Sequence, residues 1–144
     1  MIRRANQEDA FLVAQLAAQL WTSQTTEEFK EEFDVLLHRS DAAVFLCVAG
    51  DKAVGFAQCQ LRHDYVEGCE TSPVGFLEGI YVDDAHRRSG VARALLSACE
   101  DWARSVGCTE FASDCELDNH DSLAWHLKAG FEEVNRTIWF AKKL

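Results

Sequence analysis

The chain has 144 residues, a length that fits one domain and would leave two halves too small to bury separate cores. Its formal net charge is −10, which argues against nucleic acid, where affinity rests on Lys and Arg neutralising phosphates, and suits a polycationic partner. With 48% hydrophobic and 26% charged residues and no apolar run long enough to span a bilayer, the composition is that of a globular domain with no membrane partner. The opening MIRRANQEDAF has no apolar stretch behind its arginines and does not read as a secretory signal, so a cytoplasmic protein is expected.

The predicted elements begin with a short strand around Ile2. Asn6 and Asp9 form a capping pair ahead of the helical stripe Leu12, Val13, Leu16, Ala17 and Leu20. Trp21-Thr22-Ser23-Gln24 reads as a polar loop opened by an exposed tryptophan. Thr25 and Glu28 make a second capping box before Phe29, Phe33, Leu36 and Leu37. A strand over Val44–Val48, a hairpin turn at Ala49-Gly50-Asp51-Lys52, a returning strand Val54–Leu61 and a third over Phe76–Val82 follow, with Pro73 in the turn before the last. A polar loop, Asp83 to Gly90, leads into a helix with Val91, Leu95, Ala98, Trp102 and Val106 on one face and Gly107 placed to end it. A short strand Glu110–Ser113, a helix over Asn119–Ala129 and two C-terminal strands after Gly130-Phe131 complete the chain. The order β-α-α-β-β-β-α-β-α-β-β implies an α/β domain, a mixed sheet with helices on both faces, with no internal repeat or linker.

Six cysteines, Cys47, Cys59, Cys69, Cys99, Cys108 and Cys115, stand at irregular spacings without a CxxC pair and read as reduced packing residues. His38, His63, His86 and His120 show no metal-ligand spacing. The acidic run Asp114, Glu116, Asp118, Asp121 is no EF-hand loop, because Asn119 stands where the turn glycine belongs and no glutamate closes it. No metal is expected.

The chemistry begins at Arg87-Arg88-Ser89-Gly90-Val91-Ala92, where a strand ends and a helix starts. Backbone N–H groups converge there, the helix dipole favours an anion, Gly90 permits close approach and two arginines add charge. Arg87-x-x-Gly90-x-Ala92 resembles the acyl-CoA motif, (Gln/Arg)-x-x-Gly-x-(Gly/Ala), of the GNAT acetyltransferase superfamily. Asn119-x-x-Ser122, His126 and Gly130-Phe131 resemble its last motif, Asn-x-x-Ala, Tyr, Gly-Phe. The resemblance implies a single GNAT N-acetyltransferase domain over residues 1–144, with acetyl-CoA as co-substrate and central strands that splay apart. It implies that the backbone of Ile80, Tyr81 and Val82 pairs with the pantetheine arm, that an N–H near Val82 polarises the thioester carbonyl, that the loop Arg87 to Ala92 holds the pyrophosphate, and that Asn119 and Ser122 are cofactor-binding residues.

Tyr65-Val66-Glu67-Gly68, Thr71 to Val82 and Glu110 to Asp114, with the Leu20-Trp21 pair, are similar to the aminoglycoside 6′-N-acetyltransferases, antibiotic-resistance enzymes that acetylate a primary amine. That narrower resemblance implies an aminoglycoside substrate, transfer at the 6′ position and a homodimer, to which the strand-like Thr137 to Ala141 could contribute by pairing with a neighbour. A polycationic antibiotic fits the acidic charge. Attack on a thioester needs a neutral amine, and Glu78, through water, is the candidate for drawing off its proton, with Asp114 gripping the same amine. The competing reading of Glu78 is a strand carboxylate in a structural ion pair. His126 stands where many superfamily members have a tyrosine that protonates the leaving thiolate; it does so, merely hydrogen-bonds the sulfur, or is a satisfied helix histidine. Trp21 and Tyr65 offer flat faces to sugar rings. A GNAT enzyme for a polyamine or another amine, and a non-catalytic acetyl-CoA sensor, stay open at this level.

Overall fold

A computed structural model describes residues 1–144. Five strands form one sheet in the order β1-β2-β3-β4-β5: β1 Ile2–Arg4, β2 Ala42–Ala49, β3 Lys52–Arg62, β4 Val74–Val82 and β5 Phe111–Ser113. Neighbours are antiparallel except β4 and β5, which run parallel. Four helices, α1 Ala10–Leu20, α2 Thr26–Leu36, α3 Val91–Ser105 and α4 His120–Lys128, fill the connections.

Local chemistry sets the helix starts. The Asn6 side chain accepts from Glu8 N while Asp9 returns a bond to Asn6 N, capping a 3-10 turn that runs into α1. Asp9 is also gripped by Arg3 at 2.7 and 2.9 Å, which fastens this turn to β1 and holds the Asp9 carboxyl below the usual carboxylate range. Thr25 and Glu28 exchange reciprocal bonds at the start of α2.

Each face of the sheet carries its own core. Val13, Ala14, Leu16, Ala17, Phe29 and Phe33 from α1 and α2 pack with Val44, Leu46 and Phe56 on one face. Leu95, Leu96, Cys99, Trp102 and Ala103 from α3 pack with Val54, Ala57, Cys59, Leu77 and Val82 on the other. All six cysteines are free thiols, four of them buried, and burial pushes the Cys108 thiol up.

The two expected C-terminal strands do not form. Residues after Gly130 form no regular element and enter no ladder, and Ile138, Trp139 and Phe140 are exposed. Strand propensity yields a strand only where a ladder forms, and none forms between the tail and the open outer edge of β5. α4 is likewise covered on one side only, with no fully buried residue.

Candidate active site

The site is a fork in the sheet. β4 and β5 pair only through Gly75↔Phe111, Phe76↔Ala112 and Leu77↔Ser113. Beyond Leu77, β4 runs on to Val82 with no partner on that side, so the backbone of Ile80, Tyr81 and Val82 offers unpaired edge groups, as the splayed-strand resemblance implies.

A β-bulge marks the fork. Cys59 pairs with Leu77 and Gln58 with Gly79, which leaves Glu78 as the extra residue of β4. Bulges re-aim side chains, and this one sets Glu78 and Gly79 toward the face covered further along by α1 and α2. Leu77 before it and Ile80 after it pack into the α3 core. Trp21, at the end of α1, lies directly over Gly79, where an added Cβ would overlap its indole.

The Glu78 carboxylate is held by Arg62 in a two-pronged bond, 3.1 Å from Nε and 2.9 Å from a terminal nitrogen. The Arg62 guanidinium lies 3.5 Å above the Phe76 ring. The ion pair raised as the competing reading of Glu78 is therefore present. It leaves each carboxylate oxygen a lone pair beyond the one Arg62 takes. Arg39, forked onto Asp41 at 2.8 and 2.9 Å, is close enough to feel the Glu78 charge as well. Asp114 follows β5 directly; it is exposed and enters no ion pair.

Trp21 differs from its expectation. It is half-buried rather than exposed, with its ring 5.9 Å from Phe29 and 6.0 Å from Phe56, so one face belongs to the core and the rest borders Gly79. Tyr65 is 76% exposed on the loop between β3 and β4.

On the other face, the loop into α3 is built for an anion. Arg88 has φ 62° and Gly90 φ 84°, so left-handed residues flank Ser89 in the turn into α3, backbone of the kind that forms anion-binding concavities. Arg88 is the one non-glycine residue with positive φ, a strain found where backbone is shaped for a ligand. α1's leading turn, α2 and α4 are closed by side-chain caps, whereas α3 begins at Gly90 with no side-chain cap and no acidic residue in its first turn. Its first amides thus have no side-chain partner, an arrangement suited to an anion. Arg87 serves the loop differently from Arg88: its Nε donates to Val82 O at 2.9 Å and its guanidinium pairs with Asp84 at 2.8 Å, which ties the loop to the end of β4.

α4 closes the fork. Asn119 caps it by accepting from Ser122 N at 3.1 Å, so its carbonyl is committed to the helix. His126 Nδ1 is 2.7 Å from Ser122 O and its Nε2 is 2.8 Å from Ser113 Oγ, with Trp125 and Phe131 packed on the ring. A concavity of about 560 Å³ lies along α2, lined by Glu28, Glu31 and Glu32 among others, and includes no residue of the fork. No group of three His, Cys, Asp or Glu side chains is arranged to hold a metal ion.

The acetyltransferase (GNAT) family model matches residues 11–131. The chain belongs to this family. Aminoglycoside N(6′)-acetyltransferase type 1 of Stenotrophomonas maltophilia is 46% identical over 144 residues, covering 99% of this chain and 93% of that protein. The protein of the same name from Acinetobacter haemolyticus is 43% identical, covering 90% and 89%. An aminoglycoside N-acetyltransferase, AAC(6′)-Iy, solved with CoA, superposes with a TM-score of 0.95 at 38% identity over all of this chain and 95% of its own. The same enzyme with a bisubstrate analogue of CoA and acetylneamine gives 0.94 at 38% identity, covering 100% and 98%.

Two site residues were not singled out in the sequence. Arg62 ends the alternation Gln58, Gln60, Arg62 on one face of an otherwise apolar strand, and that polar stripe was its available signal. Ser113 carried none, since its place at the fork depends on register.

Proposed function

We propose that the protein transfers acetyl from acetyl-CoA directly to the 6′-amine of an aminoglycoside antibiotic. The observation that carries this reading is the 46% identity, over 99% of the chain, to an enzyme named for that activity. The fork supports it. An anion-binding loop opens from the α3 side, and a carboxylate beside an aromatic ring opens from the other.

In this reading Arg87 to Ala92 and the first turn of α3 hold the pyrophosphate, and the Ile80 to Val82 edge pairs with the pantetheine arm. An N–H near Val82 polarises the thioester carbonyl, and Asn119 and Ser122 border the arm. Acetyl-CoA supplies the activated acyl group; the residues of the chain bind, orient and move protons. Glu78 takes the amine proton through water, Asp114 grips the ammonium, and His126 is the acid for the leaving thiolate. Trp21 and Tyr65 contact the sugar rings. Asp114 is exposed at the end of β5, beside the fork, and is open to a substrate ammonium.

The reading includes a homodimer in which residues 137–141 of each chain pair with the partner. Their apolar side chains and the half-covered α4 are both surfaces that a second copy would bury. It also includes the cytoplasm, in keeping with six free thiols. Incubation with kanamycin and acetyl-CoA, followed by NMR of the product, tests the position: acetyl on the 6′ nitrogen is expected, and acetyl on any other nitrogen contradicts it.

A further inference from the structure

We infer that Arg87 is a positioning residue: its Nε braces the end of β4 and so aims the Val82 N–H, while its charge serves binding separately. This rests on the reading that the Val82 N–H polarises the thioester carbonyl.

The ladder fixes which backbone groups face the fork. Gly55↔Val82 and Ala57↔Ile80 are partners across β3 and β4, and Asp83 N donates to Val54 O at 2.8 Å. Hydrogen-bonded and non-bonded partners alternate along an antiparallel pair. Asp83 and Tyr81 therefore turn their backbone groups to β3, while Val82 and Ile80 turn theirs to the fork. Tyr81 O agrees, since a Cβ added at Gly55 on β3 would stand 2.8 Å from it.

Ile80 and Val82 thus each bring an N–H and a C=O to the fork, and one of these groups is already taken. Val82 O accepts from Arg87 Nε at 2.9 Å. The peptide unit joining Val82 to Asp83 is held on both sides, by Arg87 at its oxygen and by Val54 at its nitrogen. The bond also covers the negative end of the Val82 carbonyl, which shares the fork with the Val82 N–H and would oppose charge growing on a thioester oxygen. The loop beyond is cross-tied. Asp83 Oδ1 lies 3.0 Å from His86 N and 2.6 Å from its Nδ1, and Ser89 Oγ donates to His86 O. Arg87 closes this loop onto the strand it leaves, so the anion-binding turn and the Val82 N–H keep one spacing. A terminal nitrogen of the guanidinium pairs with Asp84 at 2.8 Å, and the group lies 5.8 Å from the centre of the Tyr81 ring.

Brace and charge separate by substitution. The Gln side-chain nitrogen stands as many bonds from Cα as Arg Nε, so Arg87→Gln keeps the N–H and removes the charge. Arg87→Lys keeps the charge and moves the donor one bond further out. Arg87→Met removes both.

The test is steady-state acetyl transfer to kanamycin by these variants, joined by two carbon NMR measurements. One follows the Val82 carbonyl in the free protein; the other follows acetyl-CoA labelled at its thioester carbonyl and bound without amine. The kcat is expected to follow the N–H. It falls about tenfold in Arg87→Met and Arg87→Lys, part of the roughly hundredfold that outright loss of such a donor costs, and Arg87→Gln recovers most of it. The KM for acetyl-CoA follows the charge instead, raised in Arg87→Met and Arg87→Gln and near the wild type in Arg87→Lys. The Val82 carbonyl resonance moves in Arg87→Met and Arg87→Lys and stays in Arg87→Gln. In the same two variants the bound thioester resonance shifts toward its free value. A kcat kept in Arg87→Lys and lost in Arg87→Gln overturns the brace, as does a kcat equal in all three variants. A Val82 resonance indifferent to Arg87→Met overturns it as well. A wild type whose bound thioester resonance equals that of free acetyl-CoA overturns the polarisation reading beneath it.

Discussion

Arg62 grips both oxygens of Glu78 while its guanidinium rests on the Phe76 ring. The pair joins two strands at the bulge and leaves the carboxylate one orientation, so in the proposed reaction Arg62 positions the base. Arg62→Met keeps the stem on Phe76 and releases Glu78. Steady-state kinetics should show kcat down about tenfold or more, the cost of a loosened catalytic group. Arg62→Lys, a point charge without the fork, should restore part of it. Thermal unfolding should change little, about 1 kcal/mol or less, because the arginine is 40% exposed and solvent screens the pair.

Gly79 is held open by Trp21. Gly79→Ala places a methyl inside the indole, which is braced by Phe29 and Phe56 and cannot retreat freely. The expected result is a loss of about 1–3 kcal/mol in unfolding, the usual scale of overpacking. A raised KM for the aminoglycoside should accompany it, with the KM for acetyl-CoA unchanged.

Gly90 gives the opposite signature. Nothing lies within 4 Å of a Cβ added there, so the cost of Gly90→Ala is the left-handed backbone alone, φ 84°. That strain is about 1–2 kcal/mol. Relief of it flattens the concavity at the start of α3. The KM for acetyl-CoA should rise about tenfold, the equivalent of about 1.4 kcal/mol, with the KM for the amine substrate unmoved.

The C-terminal tail divides assembly from folding. Deleting residues 137–144 removes Ile138, Trp139 and Phe140, none of which is buried in the chain's own core. Sedimentation should find the full chain dimeric and the shortened one monomeric. The melting temperature should depend on concentration only for the full chain.

The parts legible in the sequence are those set by near neighbours. Asn6 with Asp9 and Thr25 with Glu28 close helices through bonds spanning three residues, and both boxes form as read. The loop from Arg87 to Ala92 was legible for the same reason, since a strand end, a glycine and a helix start are consecutive. Arg62 and Glu78 are 16 residues apart, and their meeting depends on a bulge that shifts register by one position. Trp21 was misjudged because its polar neighbours Thr22, Ser23 and Gln24 describe the loop and not the Phe29 and Phe56 rings behind it. The tail shows the converse case: Thr137 to Ala141 carry a strand pattern, yet no ladder forms there although the outer edge of β5 is open.

The central claim is best tested by CoA release from acetyl-CoA with kanamycin, with a 6′-hydroxyl aminoglycoside and with spermidine, each run in parallel on the wild type and on Glu78→Gln and Asp114→Asn. Fast release with kanamycin alone, lost in both variants, is the predicted result. Equal or faster release with spermidine or with the 6′-hydroxyl compound would contradict it.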